Sequence, residues 1–447
     1  MRVLIVGAGE VGYHLAARLS QENQDVVLIE SDPETAEHAS QQLDVLTITG
    51  NGASLPVLQK AGVEDARVLL AVTSRDEVNL IACLAASRIG VEYTIARISS
   101  PEYYAKGSVL SREQLGIDLM INPERECAWE SYQLLQSAAA TDVAYFAEGR
   151  VQLLGLKVKE GARIAGRTLA DLGQELAGFK TVTVAIVRDE VTQIPNGNSR
   201  IEAGDHVYLL APTAEVPALP ALAGYEDFKL RRVMIAGGSR EGRFLAELLE
   251  RQGVECTVLD SDRKRCLELA EALPKSLVLH GNATDAELLE MEGVGGVDGF
   301  VAATGNDETN LLASLLAKSA GARKVVSLIE RFEYLPLIPK VGIDAAVSPR
   351  LSTVNAILRY IRRGRVVAVA TLKGVQAEAI EFRVQPGAKI AGRAIAEAGL
   401  PPGSVVGTVL RGDEIITPRG ATIIEAEDEV IVFALPDAIP EIEKLFA

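Results

Sequence analysis

Short apolar runs alternate with helix-period segments along the first part of the chain. RVLIVGA and DVVLIES are apolar runs of strand length, and EVGYHLAARLSQE between them places its apolar residues on one helical face. The alternation continues through DVLTITGN, RVLLAVTS and YTIARI, which are further strands separated by helical segments. Strands that alternate with helices are typical of a doubly wound parallel sheet. The pattern predicts a Rossmann-like α/β domain over residues 1–122.

A different pattern follows after a predicted helix that begins at Pro123. From Asp142 to Pro212 the chain has short β-patterned pieces such as VQLLGLKV and HVYLLAP, with one short helical segment, RTLADLGQE. This texture predicts a small α+β module over residues 140–223, and a Pro- and Ala-rich connector follows it.

The whole pattern then occurs a second time. VLIVGAGEVG recurs as VMIAGGSREG, AVTSRDEVNL as AATGNDETNL, and GARIAGRTLADL as GAKIAGRAIAEA, always in the same order. Three dissimilar segments that repeat in order indicate the duplication of a two-part unit. We therefore predict a second Rossmann-like domain over residues 230–348 and a second small α+β module over residues 365–447.

The net charge, the cysteines and the apolar runs argue against several classes of function. The net charge of −16 argues against binding to nucleic acid or to anionic lipid, because both require a basic face. The four cysteines are scattered, without a CxxC pair, so we expect buried thiols in a reducing compartment and no metal site. No apolar run approaches the length of a membrane span, and we expect a cytoplasmic protein.

A glycine-rich turn follows the first predicted strand. Gly7, Gly9 and Gly12 form G-x-G-x-x-G between a strand and a helix. In this motif the glycines allow a tight turn and a close backbone approach to a diphosphate, and the helix N-terminus attracts the anion. The second strand ends in Glu30, at nearly the spacing expected for a carboxylate that binds ribose hydroxyls. The turn predicted to bind a nucleotide comprises Gly7, Ala8, Gly9, Glu10, Val11 and Gly12.

Further candidate residues follow later strands, at the edge where open α/β sheets bind ligands. Asn51 follows the third strand, where its side chain is a candidate for phosphate or ribose. Thr73 follows the fourth strand, near the expected adenine position. Arg97 closes the fifth strand, where a guanidinium can bind a phosphate through two hydrogen bonds.

The second copy keeps part of this set. Gly237, Gly242, Asp260 and Asn282 correspond to Gly7, Gly12, Glu30 and Asn51. Ser239 replaces the middle glycine and Leu328 replaces Arg97, so we expect weaker or altered nucleotide binding in the second half.

Neither small module has a recognisable catalytic set. Lys157, Lys159 and His206 have no evident acidic or cationic partner in the sequence. An NAD-dependent oxidoreductase is the first alternative, and it would show steady nicotinamide turnover. A redox-sensing NAD-binding regulator of transcription is the second, but it would need a DNA-binding segment, which the sequence does not indicate.

These motifs resemble the RCK (KTN) family. GAGEVG with Glu30, GNGAS, TSRDEVN and IAR are similar to the RCK N-terminal domain, and the two GA(R/K)IAGR segments resemble the RCK C-terminal domain. The resemblance implies a non-enzymatic regulator that binds NAD(H) or ATP/ADP, lies at the inner face of the cell membrane and forms a homotetramer or a dimer. It also implies a separate membrane potassium-transporter subunit of the TrkH/TrkG type, whose activity changes with the conformation of the regulator.

Overall fold

The structure is a computed structural model of the 447-residue chain. It describes residues 1–22, 24–104, 110–136, 140–175, 178–189, 191–226, 229–338, 340–361, 366–371 and 377–446.

The first Rossmann-like domain contains six parallel strands in the order β3-β2-β1-β4-β5-β6. Its strands are β1 (Arg2–Val6), β2 (Asp25–Glu30), β3 (Leu46–Thr49), β4 (Val68–Ala71), β5 (Tyr93–Arg97) and β6 (Leu119–Ile121). Its helices are α1 (Glu10–Gln21), α2 (Pro33–Gln42), α3 (Leu55–Lys60), α4 (Asp76–Ile89) and α5 (Arg112–Leu115), and α6 (Pro123–Leu135) follows. The doubly wound fold is confirmed, and β6 is an additional strand that the apolar pattern did not predict.

The first small module is an antiparallel sheet in the order β10-β9-β11-β8-β7. Its strands are β7 (Ala140–Phe146), β8 (Val151–Lys157), β9 (Val182–Arg188), β10 (Val191–Gln193) and β11 (His206–Pro212). Its helices are α7 (Leu169–Glu175), in the predicted RTLADLGQE segment, and α8 (Leu219–Leu222), in the connector.

The second half repeats both folds. The second parallel sheet has the order β14-β13-β12-β15-β16-β17, equivalent to that of the first. Its strands are β12 (Arg232–Ala236), β13 (Glu255–Asp260), β14 (Leu277–His280), β15 (Gly299–Ala302), β16 (Lys324–Leu328) and β17 (Ala345–Val347). Its helices are α9 (Arg240–Arg251), α10 (Arg263–Ala272), α11 (Ala286–Met291) and α12 (Asp307–Ser319), and α13 (Pro349–Ile361) follows.

The second small module has a main sheet in the order β18-β19-β24-β21-β22 and a two-stranded sheet of β20 and β23. Its elements are β18 (Val366–Thr371), β19 (Glu378–Arg383), β20 (Arg393–Ala394), β21 (Ser404–Arg411), β22 (Glu414–Ile416), β23 (Ile423–Ile424), β24 (Glu429–Ala434) and α14 (Ile439–Phe446).

The chain divides into two compact units whose boundaries do not follow the sequence repeat. The first contains residues 1–127 together with α13, and the second contains residues 128–348 and 362–447. In the first unit, Ile357, Leu358 and Ile361 of α13 pack into a core with Leu15 and Leu19 of α1. A helix from the second half of the sequence therefore completes the core of the first Rossmann-like domain.

Within the second unit, the two small modules share one apolar core. Phe146, Leu153 and Leu210 of the first module pack in one cluster with Ile431 and Phe433 of the second. The backbone N–H of Ala147 also donates a hydrogen bond of 2.9 Å to Glu381 Oε2. The two small modules thus form a single packed body.

All four cysteines are buried free thiols, as predicted: Cys83, Cys127, Cys256 and Cys266. Among the described helices, none combines the length and the apolar character that a bilayer crossing requires.

Candidate functional site

The glycine-rich turn joins β1 to α1 in the first unit. Gly7 has φ = 103°, a left-handed conformation that favours glycine. A Cβ at Gly12 would overlap the carbonyl oxygen of Gly7, so this glycine permits the helix to pack against the turn. A Cβ at Gly9, in contrast, would have no described atom within 4 Å. Gly7 and Gly12 are therefore needed by the fold, whereas Gly9 leaves open space in front of the helix.

The N-terminus of α1 faces that space without a side-chain cap. Gly9 is the N-cap residue, and no described side chain accepts a hydrogen bond from the first turn at this position. The amide N–H groups at the start of a helix carry partial positive charge, which attracts phosphate groups. Of the remaining turn residues, Ala8 and Val11 are buried and Glu10 is exposed.

Glu30 connects the end of β2 to the glycine turn. Its Oε2 accepts a hydrogen bond of 2.6 Å from Ala8 N–H, and its Oε1 accepts hydrogen bonds from the N–H groups of Ser31 at 2.6 Å and Asp32 at 2.9 Å. The carboxylate therefore fixes the turn before any ligand arrives. It also lies at the β2 position where a ribose hydroxyl is expected.

Arg97 is the last residue of β5, and one nitrogen of its guanidinium group has an unusual environment. Its Nε is buried and has no hydrogen-bond partner among the described residues. A buried guanidinium nitrogen without a partner carries a desolvation cost, which a bound anion would remove. The local structure thus fits the predicted phosphate contact.

Thr73 and Asn51 are already engaged in protein contacts. Thr73 donates a hydrogen bond of 2.7 Å from Oγ1 to Asn79 Oδ1, and Asn79 Nδ2 donates to the carbonyl oxygen of Arg97 at 2.8 Å. Asn51 Oδ1 accepts a hydrogen bond of 2.9 Å from Ala53 N–H, which closes its own turn. Asn79 is fully buried and links the ends of β4 and β5. Its role was not predicted from the sequence, although an asparagine occupies the same place in both TSRDEVN and TGNDETN.

Glu10 forms an ion pair with Arg350 of α13, within the first unit. Glu10 follows the glycine turn directly, and Arg350 is the second residue of α13. Burial lowers the pKa of Arg350 from its ordinary value. The N-terminal end of α1 is thus linked by charge to α13, a contact that no local sequence pattern predicted.

The glycine turn and the ends of β2 and β5 form one corner of the first Rossmann-like domain. In the second half, the protein's own side chains occupy the equivalent corner. Ser239 caps α9, because its hydroxyl accepts a hydrogen bond of 3.2 Å from Gly242 N–H. Arg265 of α10 donates to Asp260 Oδ2 at 3.1 Å, on the carboxylate that corresponds to Glu30. Leu328 takes the position of Arg97 and is buried. The helix N-terminus that is uncapped in the first half is therefore capped here, and the carboxylate at the end of β13 is paired with an arginine.

The other second-half candidates maintain the turn. Gly237 has φ = 112°, and a Cβ there would overlap the backbone of Ala303. A Cβ at Gly242 would overlap the carbonyl oxygen of Gly237, as in the first half. Asn282 Oδ1 accepts a hydrogen bond of 3.0 Å from Thr284 N–H. Among the described residues, no group of three or more His, Cys, Asp or Glu side chains is arranged to hold a metal ion.

Comparison with known domain families agrees with this architecture. The TrkA-N domain matches residues 3–123 and again residues 233–349, and the TrkA-C domain matches residues 153–224 and 379–447. The fold and site therefore define a tandem protein in which each Rossmann-like TrkA-N domain is followed by a small TrkA-C domain.

Full-length relatives identify the family. The chain is 38% identical over 454 residues to the Trk system potassium uptake protein TrkA homolog 1 of Methanosarcina mazei, and 36% identical over 451 residues to the Trk system potassium uptake protein TrkA of Halomonas elongata. These alignments cover 100% of this chain, and 100% and 98% of the relatives. The chain belongs to the TrkA family of Trk-system potassium uptake proteins.

A solved structure shows the same fold at lower sequence similarity. The GsuK channel bound to NAD is 20% identical, with a TM-score of 0.61, and the likeness covers 100% of this chain and 78% of the channel chain.

Proposed function

We propose that this chain is a regulatory subunit whose first Rossmann-like corner binds an adenine nucleotide, NAD(H) or ATP/ADP, and thereby controls a membrane potassium transporter of the TrkH/TrkG type. The chain itself performs no reaction. It acts at the cytoplasmic face of the membrane through its partner. The names of the relatives support the potassium-uptake role, and the NAD-bound channel of the same fold supports nucleotide as the ligand.

One observation carries the assignment of the ligand site to the first half. An uncapped helix N-terminus with open space at Gly9 occurs at the same sheet edge as Arg97, whose buried Nε has no described partner. Both features favour a ligand with phosphate groups. Glu30 adds a carboxylate where a ribose is expected, and a carboxylate there disfavours a 2′-phosphate.

The Glu10–Arg350 ion pair connects the proposed ligand site at the start of α1 to the position of α13. Phosphates bound at the start of α1 place negative charge beside Glu10 and attract Arg350. The ligand therefore changes the balance of charge between α1 and α13. Along the chain, α13 is followed directly by the second small module. A shift of α13 is therefore suited to transmit the regulatory change to that module. A ligand shifts such an equilibrium only as far as it binds one state better than the other.

Two measurements test this proposal. Calorimetric titration of the purified chain with NADH, NAD, ATP and ADP should show saturable binding of at least one of them. In proteoliposomes that contain a TrkH-type subunit, the same nucleotide should change potassium flux only when the chain is present. Binding without any effect on flux would reject the regulatory proposal, and the absence of binding would reject the site assignment.

The oxidoreductase alternative predicts a different outcome. It requires turnover of NADH with a small substrate, measured as a steady loss of nicotinamide absorbance. Such turnover would replace the proposal.

A further inference from the structure

In each half of the chain, the last strand of the parallel sheet leads directly into a helix. A single residue separates β6 from α6, and a single residue separates β17 from α13. The two helices are equivalent in the repeat, because NPERECAW and SPRLSTVN occupy the same place in the two halves. Since the two Rossmann-like domains also share one fold, each helix has two similar surfaces on which it can pack.

Both helices pack on the Rossmann-like domain of the other half. Ile361, at the C-terminal end of α13, lies in one apolar cluster with Val68 of β4. Leu135, at the equivalent end of α6, lies against β15 within the second unit, where a Cβ at Gly299 would overlap its side chain. Val68 and Gly299 occupy equivalent positions in the two sheets. The two helices are thus exchanged reciprocally.

The apolar contacts do not distinguish one half from the other. Leu15 and Leu19 of α1, which pack in one cluster with α13, correspond to Leu245 and Leu249 of α9. All four leucines are buried. Selection between the two surfaces therefore requires a feature that differs between the halves.

The charges at the starts of the helices do differ. Glu10, the first residue of α1, forms an ion pair with Arg350, the second residue of α13. In the second half, Arg240 occupies the position of Glu10, and on α6 Glu124 occupies the position of Arg350. The first half is therefore negative at both positions, and the second half is positive at both. Packing of α6 on its own domain in the manner of α13 would place Glu124 beside Glu10.

The place where α13 meets Glu10 is partly withdrawn from water. The Arg350 side chain is 25% exposed and the Glu10 side chain is 50% exposed. Partial burial reduces the screening of charges by solvent, so two like charges at this place repel each other more than fully exposed ones do. The first halves of two different copies would meet the same repulsion. Repulsion against the wrong partner is a known source of specificity.

We propose that the charges at positions 10, 124, 240 and 350 make the first half pair with a second half and disfavour the pairing of either half with its own kind. The surface of α1 thus fits a helix that carries a cation at its second position, as α13 does. This selection depends on the fold and the ion pair, and it is independent of nucleotide binding.

Amide hydrogen exchange of residues 349–361 in the full-length chain, followed by mass spectrometry, measures how firmly α13 is packed. Arg350→Glu places a carboxylate beside Glu10, and Glu10→Arg places a guanidinium beside Arg350. Each should accelerate the exchange of α13 by about threefold or more, because repulsion replaces attraction. The double variant restores an opposite pair and should exchange within about twofold of the parent chain. Arg88→Glu reverses an exposed charge on α4 of the same domain and should leave α13 unchanged.

A second pair of variants tests selection between the two helices. Arg350→Glu combined with Glu124→Arg gives α6 the charge that suits Glu10, so α13 should exchange faster than in Arg350→Glu alone. Addition of Glu10→Arg and Arg240→Glu reverses all four charges and should return the exchange of α13 to the parent rate. High salt should reduce every difference, because mobile ions screen these charges.

Arg350→Gln keeps the proposal falsifiable if Arg350→Glu does not fold. It removes the attraction without adding repulsion, so α13 should exchange faster than in the parent chain and more slowly than in Glu10→Arg. Parent-like exchange in both Arg350→Gln and Glu10→Arg, or accelerations that salt does not reduce, would overturn the proposal. An absence of any further acceleration from Glu124→Arg would also overturn it, since the charges would then not select between the two helices.

Discussion

The two Rossmann-like corners share a backbone and differ in what fills them. In the first half, the start of α1 is uncapped, space is open at Gly9 and Arg97 Nε is buried without a described partner. In the second half, Ser239 caps its own helix and Arg265 pairs with Asp260 at 3.1 Å. The same fold therefore presents one corner that is open to an anion and one that is closed by its own side chains.

The contacts that both halves retain are those that hold the fold. Asn79 and Asn310 each accept a hydrogen bond from a threonine hydroxyl at 2.7 Å. Asp76 and Asp307 each accept backbone N–H groups from the segment after the fifth strand. Structural contacts can thus be separated from the proposed ligand contacts within one repeat. Changes in ligand contacts should alter nucleotide binding without unfolding either half.

The largest expected effect comes from Gly9→Val. Gly9 has an extended backbone with φ = −61°, and no described atom would meet its Cβ, so the variant should fold normally. The valine side chain occupies the space that a diphosphate needs, and nucleotide binding should become undetectable by calorimetry. Ser239→Val is the matched control in the second half and should leave binding unchanged. Equal loss in both variants would contradict the difference between the corners.

Arg97→Met should reduce nucleotide affinity by about 10- to 100-fold, the range for loss of a charge-assisted hydrogen bond. Thermal stability should be unchanged or slightly higher, because the variant no longer buries an unpaired guanidinium nitrogen. Leu328→Met, at the equivalent position of the second half, is the control and should bind nucleotide as the parent chain does. Full affinity in Arg97→Met would exclude Arg97 from the site.

The corner of the second half should bind nucleotide when its three differences from the first half are reversed together. Ser239→Gly removes the cap, Arg265→Thr releases Asp260, and Leu328→Arg supplies the missing guanidinium, each restoring the residue of the first half. The triple variant should bind two nucleotides per chain, with the second binding event weak, as measured by calorimetric stoichiometry. A triple variant with Arg265→Lys instead keeps a cation beside Asp260 and should still bind one. A single site in both variants would show that these residues do not close the corner.

Local patterns predicted most of the fold, because alternation and turn chemistry act over short distances. The RVLIVGA strand and the glycine turn at Gly7 lie where the sequence placed them. The strand β6 was missed because Leu119–Ile121 is too short to produce a recognisable apolar run. The packing of α13 in the first unit was missed for a different reason, since its partners lie more than 200 residues away in sequence.

The residues of the candidate site divide in the same way, into those that a local pattern predicts and those that depend on contacts made only in the fold. Glu30 was predictable because it lies at a fixed distance from the glycine motif. Arg265 was not, because its pairing with Asp260 depends on the side chain of a following helix reaching back to the strand end. Lys157 and His206 had no evident partner in the sequence, and only the fold brings them to one cavity with Asp142 and Lys324.

The two small modules differ as well, and that difference should appear in the pH dependence of stability. Gly155 of β8 corresponds to Glu381 of β19, which is fully buried. Burial is the main cause that raises the pKa of Glu381 to about 7, and the nearby Glu429 carboxylate adds to the effect. Between the ordinary glutamate pKa of about 4.5 and about 7, the folded chain therefore holds a proton that the unfolded chain has lost.

The sign of the effect follows from this difference in bound protons. Because the folded state binds more protons in that interval, the free energy of unfolding decreases as pH rises from about 4.5 to about 7. Glu381→Gln removes the titrating group and keeps an acceptor for the Ala147 N–H, so its stability should fall less over the same interval. Thermal unfolding of both chains at about pH 5 and about pH 7.5 measures this, with Glu397→Gln in the same module as an exposed control. Parallel changes in all three chains would mean that Glu381 ionises normally, and that the shared core of the small modules accommodates a carboxylate without penalty.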